Sequence, residues 1–257
     1  MEEKKKEVMG VIHSVESFGS VDGPGLRYIF FLKGCNMRCQ YCHNPDTWAK
    51  GGGERMTPQE AFDKAYRYKP YWRDTGGITV SGGEALLQPE FVADLFEIAK
   101  KKNVHTCLDT SGSPFTMEEP FISKFQKLMK YTDLFLLDIK EIDDEKHRKL
   151  TGCTNENILE LAKYLSDNGK DMWIRHVLVP GVTDAEEDLK KLAEFVKTLK
   201  TVKRFEVLPY HTLGVFKWEE LGLDYQLKDV NPPTKEEIAR ANEILGTAEY
   251  TGYLEKK

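Results

Sequence analysis

Six short apolar runs, each followed by a longer stretch, limit what this chain can fold into. They cover residues 27–31, 77–80, 104–108, 134–137, 172–178 and 205–208. Runs this short and apolar suit strands buried on both faces, and the spacing between them leaves room for crossover helices, which makes the strands parallel neighbours. Thr57 with Glu60 reads as a capping box before a helix over 61–68, and Pro89 opens one over 90–101. Segments 156–166 and 185–199 carry amphipathic spacing, and a last helix over 235–245 follows Pro232, Pro233 and Thr234. Gly51, Gly52 and Gly53, and the stretch 213–229, read as loops or partly irregular excursions. Six strands are too few for a closed eight-stranded barrel. The expected fold is therefore α/β, a partial (β/α)6 TIM-like barrel. One domain over 1–257 suits this length, with an N-terminal extension and turn to residue 25, a barrel core over 26–211 and a C-terminal segment over 212–257.

Several runs end in polar residues: Ser81 through Glu84, Asp109, Asp138 with Lys140, Arg175, and His211 just after Leu208. Taken singly, each reads as a helix cap or a surface ion pair. Their recurrence at strand ends favours one shared pocket, because barrel enzymes gather reactive groups at the carboxyl ends of their strands. Gly82 and Gly83 let a ligand approach the backbone, and the Glu84 carboxylate can accept from an ammonium group. Asp109, Thr110 and Asp138 supply hard oxygens suited to a small cation. Arg175 offers a rigid donor fork, and His211 can donate or accept.

Cys35, Cys39 and Cys42 form a CxxxCxxC loop. Three soft thiolates on a short loop suit a four-iron, four-sulfur cubane, and three ligands leave one iron open to an exogenous molecule. Zinc is the competing reading, with neighbouring His43 as a strained fourth ligand. A disulfide framework fits poorly with five cysteines among 257 residues. Cys107 in an apolar run and Cys153 in a turn have no partner at metal spacing. A formal charge of -5 without a basic tract speaks against nucleic acid, and no apolar run is long enough to cross a membrane. The charged stretch from Glu2 to Glu7 is followed by no hydrophobic signal core, and unpaired cysteines suit a reducing compartment, so a cytoplasmic location is expected.

The cysteine spacing, with aromatic Tyr41 before the last cysteine, resembles the radical S-adenosylmethionine superfamily. The fuller resemblance is to the family that activates glycyl-radical enzymes. It rests on residues 14–25 with Asp22-Gly23-Pro24-Gly25, on Tyr41-Cys42-His43-Asn44, and on Ser81-Gly82-Gly83-Glu84 through Gln88. Residues 105–110, Leu137-Asp138-Ile139-Lys140, Trp173-Ile174-Arg175 and Leu208-Pro209-Tyr210-His211 extend it in one order, from about residue 10 to residue 245.

The resemblance implies a 4Fe-4S cluster on Cys35, Cys39 and Cys42. It implies an S-adenosylmethionine pocket drawing on Tyr41, Cys42, His43, Gly82, Gly83, Glu84, Asp138, Ile139, Lys140 and His211, with Arg175 placed among them to orient the cofactor. A monovalent cation is implied near Asp109, Thr110 and Asp138, although Ser111 stands where the family often has Asn. Asp22 is expected to hold substrate backbone. In the implied reaction a reduced cluster cleaves S-adenosylmethionine, and the resulting 5'-deoxyadenosyl radical removes a hydrogen from a partner's glycine. The implied electron donor is flavodoxin or ferredoxin. The lack of cysteines between Cys42 and Gly82 favours the glycine loop of pyruvate formate-lyase as substrate over targets of relatives that carry a ferredoxin-like insertion. Alternatives are activation of anaerobic ribonucleotide reductase, radical chemistry on a small molecule, and a zinc-binding interaction module.

Overall fold

The computed structural model describes residues 7–254, so residues 2–6 of the charged N-terminal stretch and both ends of the expected 1–257 unit lie outside the described residues. One eight-stranded sheet runs in the order β3-β1-β2-β4-β5-β6-β7-β8. Its strands are β1 (Gly10–Gly19), β2 (Arg27–Leu32), β3 (Glu54–Met56), β4 (Gly77–Gly82), β5 (His105–Thr110), β6 (Leu134–Asp138), β7 (Met172–Leu178) and β8 (Val202–Pro209). From β2 through β8 every neighbouring pair is parallel. These six strands are those expected from the apolar runs. The sheet stays open, with β3 and β8 at its edges, as a partial barrel requires.

The helices are α1 (Pro58–Tyr66), α2 (Lys69–Trp72), α3 (Pro89–Lys101), α4 (Phe121–Lys130), α5 (Asp144–Thr151), α6 (Glu156–Asp167), α7 (Glu186–Lys197), α8 (Val215–Glu220) and α9 (Lys235–Leu245). The Thr57–Glu60 capping box forms as expected, and Thr234 with Glu237 makes a second one at the start of α9. Two elements lie where the sequence pointed to no strand or helix. The N-terminal extension contains β1, a ten-residue strand antiparallel to both β2 and β3. The stretch 213–229 contains α8.

Side chains alternate across a strand, and that alternation builds the site. One face of the parallel strands, with Ile78, Val80, Leu108, Phe135, Leu137 and Ile174, is fully buried in the main core together with Phe91, Leu95 and Phe96 of α3 and Leu161 of α6. The opposite face carries a separate small cluster of Cys107, Leu134, Leu136 and Trp173. Two residues further along β5, β6 and β7, the same face presents Asp109, Asp138 and Arg175. At one end of this interior the fully buried Arg27 lies beside Cys107, its guanidinium donating to Thr79 Oγ1 and Ile78 O, and Asp109, Asp138 and Arg175 line the end toward which the strands run.

Candidate active site

A cavity of about 480 Å³ opens at those carboxyl ends, a volume suited to a small-molecule cofactor. Cys35, Cys39 and Cys42 line it, as do Tyr41, His43, Gly82, Gly83, Asp138, Lys140, Arg175 and His211. Asp22, Asp109 and Thr110 line it as well.

The cysteine loop leaves β2 and is tied down mainly through its backbone. Gly34 N donates to Thr47 O at 2.7 Å, Arg38 N to Thr151 O at 2.7 Å and Gln40 N to Leu150 O at 3.0 Å. Ser113 Oγ donates to Asn36 Oδ1 at 2.6 Å. All three cysteines are free of disulfides. Burial pushes the Cys35 and Cys39 thiols up to about 12 and raises Cys42 as well, so loading them with metal must drive off protons.

Gly82 and Gly83 bring the backbone of β4 against the loop. Gly82 sits at φ +129°, and a Cβ on Gly83 would stand 2.3 Å from Gly34 O and 3.1 Å from Cys35 Cβ. Gly83→Ala is therefore expected to push the cysteine loop outward, destabilising the fold by about 1–3 kcal/mol in urea denaturation and weakening S-adenosylmethionine binding in equilibrium titration.

Two expected cofactor residues lie behind the cavity wall rather than on it. The Glu84 side chain is 1% exposed, and its carboxylate accepts from Leu86 N at 2.8 Å, Thr110 Oγ1 at 2.5 Å, Ser111 N at 2.9 Å and the Ser111 hydroxyl. With both oxygens engaged by protein donors, the carboxylate anchors the strand-end turns. Ile139 is fully buried, its N–H donating to Arg175 O at 3.0 Å and its carbonyl bonded to His176 Nδ1 at 3.0 Å. It packs outward while Asp138 and Lys140 on either side face the cavity.

Arg175 organises the charged end of the interior. Its Nη2 bonds Asp109 Oδ1 at 2.9 Å, its Nε bonds Asp138 Oδ1 at 3.1 Å, and its Nη1 stands 3.8 Å from Asp22 Oδ1. Lys140 Nζ takes the other Asp138 oxygen at 2.9 Å, and Ser81 Oγ donates to Asp109 Oδ2 at 2.6 Å. Burial opposes ionisation of Asp138, yet Lys140 and Arg175 outweigh it and hold that carboxyl at about 2. Burial prevails at Asp109, which is pushed up to about 6 against the pull of Arg175. Asp22 is also raised by burial, again opposed by Arg175. Asp109, Thr110 and Asp138 do come together, as a cation would need. The positive charges their carboxylates meet, however, are the side chains of Arg175 and Lys140, and Thr110 Oγ1 donates to Glu84.

On the far wall the His43 and His211 rings stack at 3.9 Å, and His43 Nε2 bonds His211 O at 3.1 Å. Burial, then the neighbouring imidazole, lowers the His43 pKa. This engagement disfavours His43 as a fourth zinc ligand, and among the described residues no three His, Cys, Asp or Glu side chains group as one metal ion requires. The Tyr41 hydroxyl and His211 Nδ1 are buried without a partner, polar atoms ready for a bound ligand. Three free thiols beside two glycines and orphaned polar atoms fit a cluster with a nucleotide-bearing cofactor.

Trp218 and Lys217 of α8 escaped the sequence reading, although both contact the cysteine loop. The available signal was Val215, Trp218 and Leu221 spaced three apart, about one helical turn each, in an excursion that also carries Leu213, Phe216, Leu223, Tyr225 and Leu227.

Residues 29–196 match the family model described as the Radical SAM superfamily. A pyruvate formate-lyase-activating enzyme of Streptococcus mutans is 54% identical over 98% of this chain and 96% of its own length. One from Listeria monocytogenes is 52% identical over 95% of this chain and 99% of its own. Among solved structures, a domain of a pyruvate-formate lyase-activating enzyme from Bacteroides vulgatus is 26% identical, covers 68% of this chain and 94% of that one, and superposes with a TM-score of 0.54. The chain belongs to the radical SAM superfamily and, within it, to the family of pyruvate formate-lyase-activating enzymes.

Proposed function

We propose that this chain activates pyruvate formate-lyase by generating a glycyl radical in that partner's glycine loop. The observation that carries the reading is the meeting of three free cysteines with the Gly82–Gly83 backbone in one cavity. The chemistry supplied by a bound 4Fe-4S cluster is one-electron reductive cleavage of S-adenosylmethionine, and through it abstraction of a glycine hydrogen. Cys35, Cys39 and Cys42 would hold the cluster, three thiol ligands that would leave it able to take the cofactor as well. Gly82 and Gly83 admit the cofactor's methionine end. Tyr41, His43 and His211 offer aromatic surface and unpaired polar atoms, and Asp138 with Lys140 forms a fixed charged wall. Arg175 holds Asp138 in place and keeps Asp22 at the mouth, where it meets the substrate peptide. Flavodoxin or ferredoxin supplies the electron, and the unpaired cysteines suit a reducing cytoplasm. Residues 1–257 work as one domain in this reading.

The test is anaerobic incubation of reconstituted protein with S-adenosylmethionine, a reductant and pyruvate formate-lyase, followed by electron paramagnetic resonance. A glycyl doublet is expected, and its absence from a competent system overturns the proposal. Asp22→Ala is expected to slow radical formation about tenfold, the worth of one hydrogen bond in the transition state, with iron content unchanged. Wild-type activation kinetics in this variant would remove Asp22 from the substrate site.

A further inference from the structure

After β8 the chain turns back across the cysteine loop, and α8 lies on the residues around and after its last cysteine. The Trp218 side chain is buried at 4% exposure, and its indole Nε1 donates to the Cys42 carbonyl oxygen at 2.8 Å. Lys217 Nζ reaches Asn44 Oδ1 at 2.8 Å and Asp46 Oδ2 at 3.2 Å. Gly214 stands so close that a Cβ there would lie 2.7 Å from His43 Cα. The indole itself is wedged edge-on between Trp48, at 5.1 Å, and Tyr225, at 5.2 Å. Burial of a large ring does not require this hydrogen bond, since the equally buried Trp72 leaves its Nε1 without a partner.

We propose that α8 is a clasp on the cysteine loop and that Trp218 is a positioning residue within it. Its N–H fixes the backbone of Cys42 and sets the positive end of a dipole beside the cluster, favouring the reduced state. The inference rests on the reading that Cys35, Cys39 and Cys42 carry a 4Fe-4S cluster. Groups that hydrogen-bond around metal ligands orient those ligands and tune the potential of the metal. Lys217 secures the next turn of the loop, so the clasp has two separable ties.

The test compares wild type with Trp218→Phe, which keeps an aromatic ring between Trp48 and Tyr225 and removes the donor together with the fused five-membered ring. After anaerobic reconstitution, iron and sulfide content with the visible absorption of the wild type establishes the cluster itself, independently of any variant. The Trp218→Phe cluster is expected to have a more negative midpoint potential than wild type. In the metal-free protein, Cys42 should be alkylated several-fold faster than in wild type, while Cys35 and Cys39 keep their rates. Lys217→Met, which leaves the indole in place, should also speed Cys42 alkylation, and it provides the reading if the tryptophan variant does not fold. A wild-type potential in Trp218→Phe overturns the proposal, as does alkylation that is unchanged in both variants or accelerated equally at all three cysteines. If wild type takes up no cluster, the functional reading falls, whereas the alkylation rates of the metal-free proteins still decide whether the clasp exists.

Discussion

Cys39→Ser is expected to abolish cluster assembly, and with it cofactor cleavage and glycyl-radical formation, in a protein that still folds. Cys39 is 8% exposed and sits between two cysteines that line the same cavity. Its replacement leaves two thiols for four irons, and His43 is held by its stack on His211 and so cannot substitute. The cost to the metal-free fold should be only about 1 kcal/mol, because serine preserves the shape of the site. Cys107→Ala and Cys153→Ala serve as controls. Cys107 packs with Leu134, Leu136 and Trp173 at the opposite end of the interior, and Cys153 packs against the main core outside the cavity lining, its thiol donating to Asn36 O of the loop backbone at 3.5 Å. Iron and sulfide analysis with visible absorption decides the matter: a cluster that survives Cys39→Ser, or is lost in Cys153→Ala, means that the ligand set is wrong.

Arg175→Met should be the most damaging substitution outside the cysteine loop, and the damage should depend on pH. The guanidinium faces Asp109, Asp138 and Asp22, and it keeps its proton because those carboxylates outweigh the cost of burying the charge. Removing it strands buried anions, an effect of about 3–5 kcal/mol near pH 7. The sign of the pH dependence follows from the carboxyl groups. In wild type Asp138 is held at about 2, below its ordinary 3.8, so it stabilises the fold above 3.8 and that contribution is lost as pH falls through about 2. Asp109, raised to about 6, does the reverse: its charge costs stability above 6, and the cost disappears as pH falls below 3.8. Without Arg175 all three carboxyls shift upward; Asp109 and Asp22, already raised by burial, lose the charge that opposed it, while Asp138 keeps its pairing with Lys140. The stability gap between variant and wild type, measured by urea denaturation of the metal-free proteins, should therefore narrow from about pH 7.5 to about pH 5.5 as the stranded groups take up protons. A gap that stays constant or widens would show that Arg175 acts through packing alone.

The parallel strands were legible because strands buried on both faces must be almost wholly apolar, and β7 occupies the very residues expected of it. β1 was not legible. Ser14, Val15, Glu16 and Phe18 are exposed along it, so little burial pattern marks the strand, and it is held by backbone pairing with β2 and β3. α4 and α5 went unread as well, and α5 is so charged, with Asp144, Glu145, Lys146, Arg148 and Lys149 in eight residues, that its apolar stripe is reduced to Leu150 beside His147.

The chemistry of the site was written into short-range order, since three cysteines within eight residues and two adjacent glycines must act close to where they stand. Which polar side chains face the cavity was settled by folding. Asp138 and Ile139 are chain neighbours, yet one lines the cavity and the other packs away from it, because neighbouring side chains leave the backbone in opposite directions. Glu84 likewise follows two cavity-lining glycines but turns its carboxylate to Thr110 and Ser111, partners that reach it only once β4 and β5 pair. Trp218 meets Cys42 across 176 positions of sequence, a contact no local pattern encodes and one that depends on the return of the chain after the last strand.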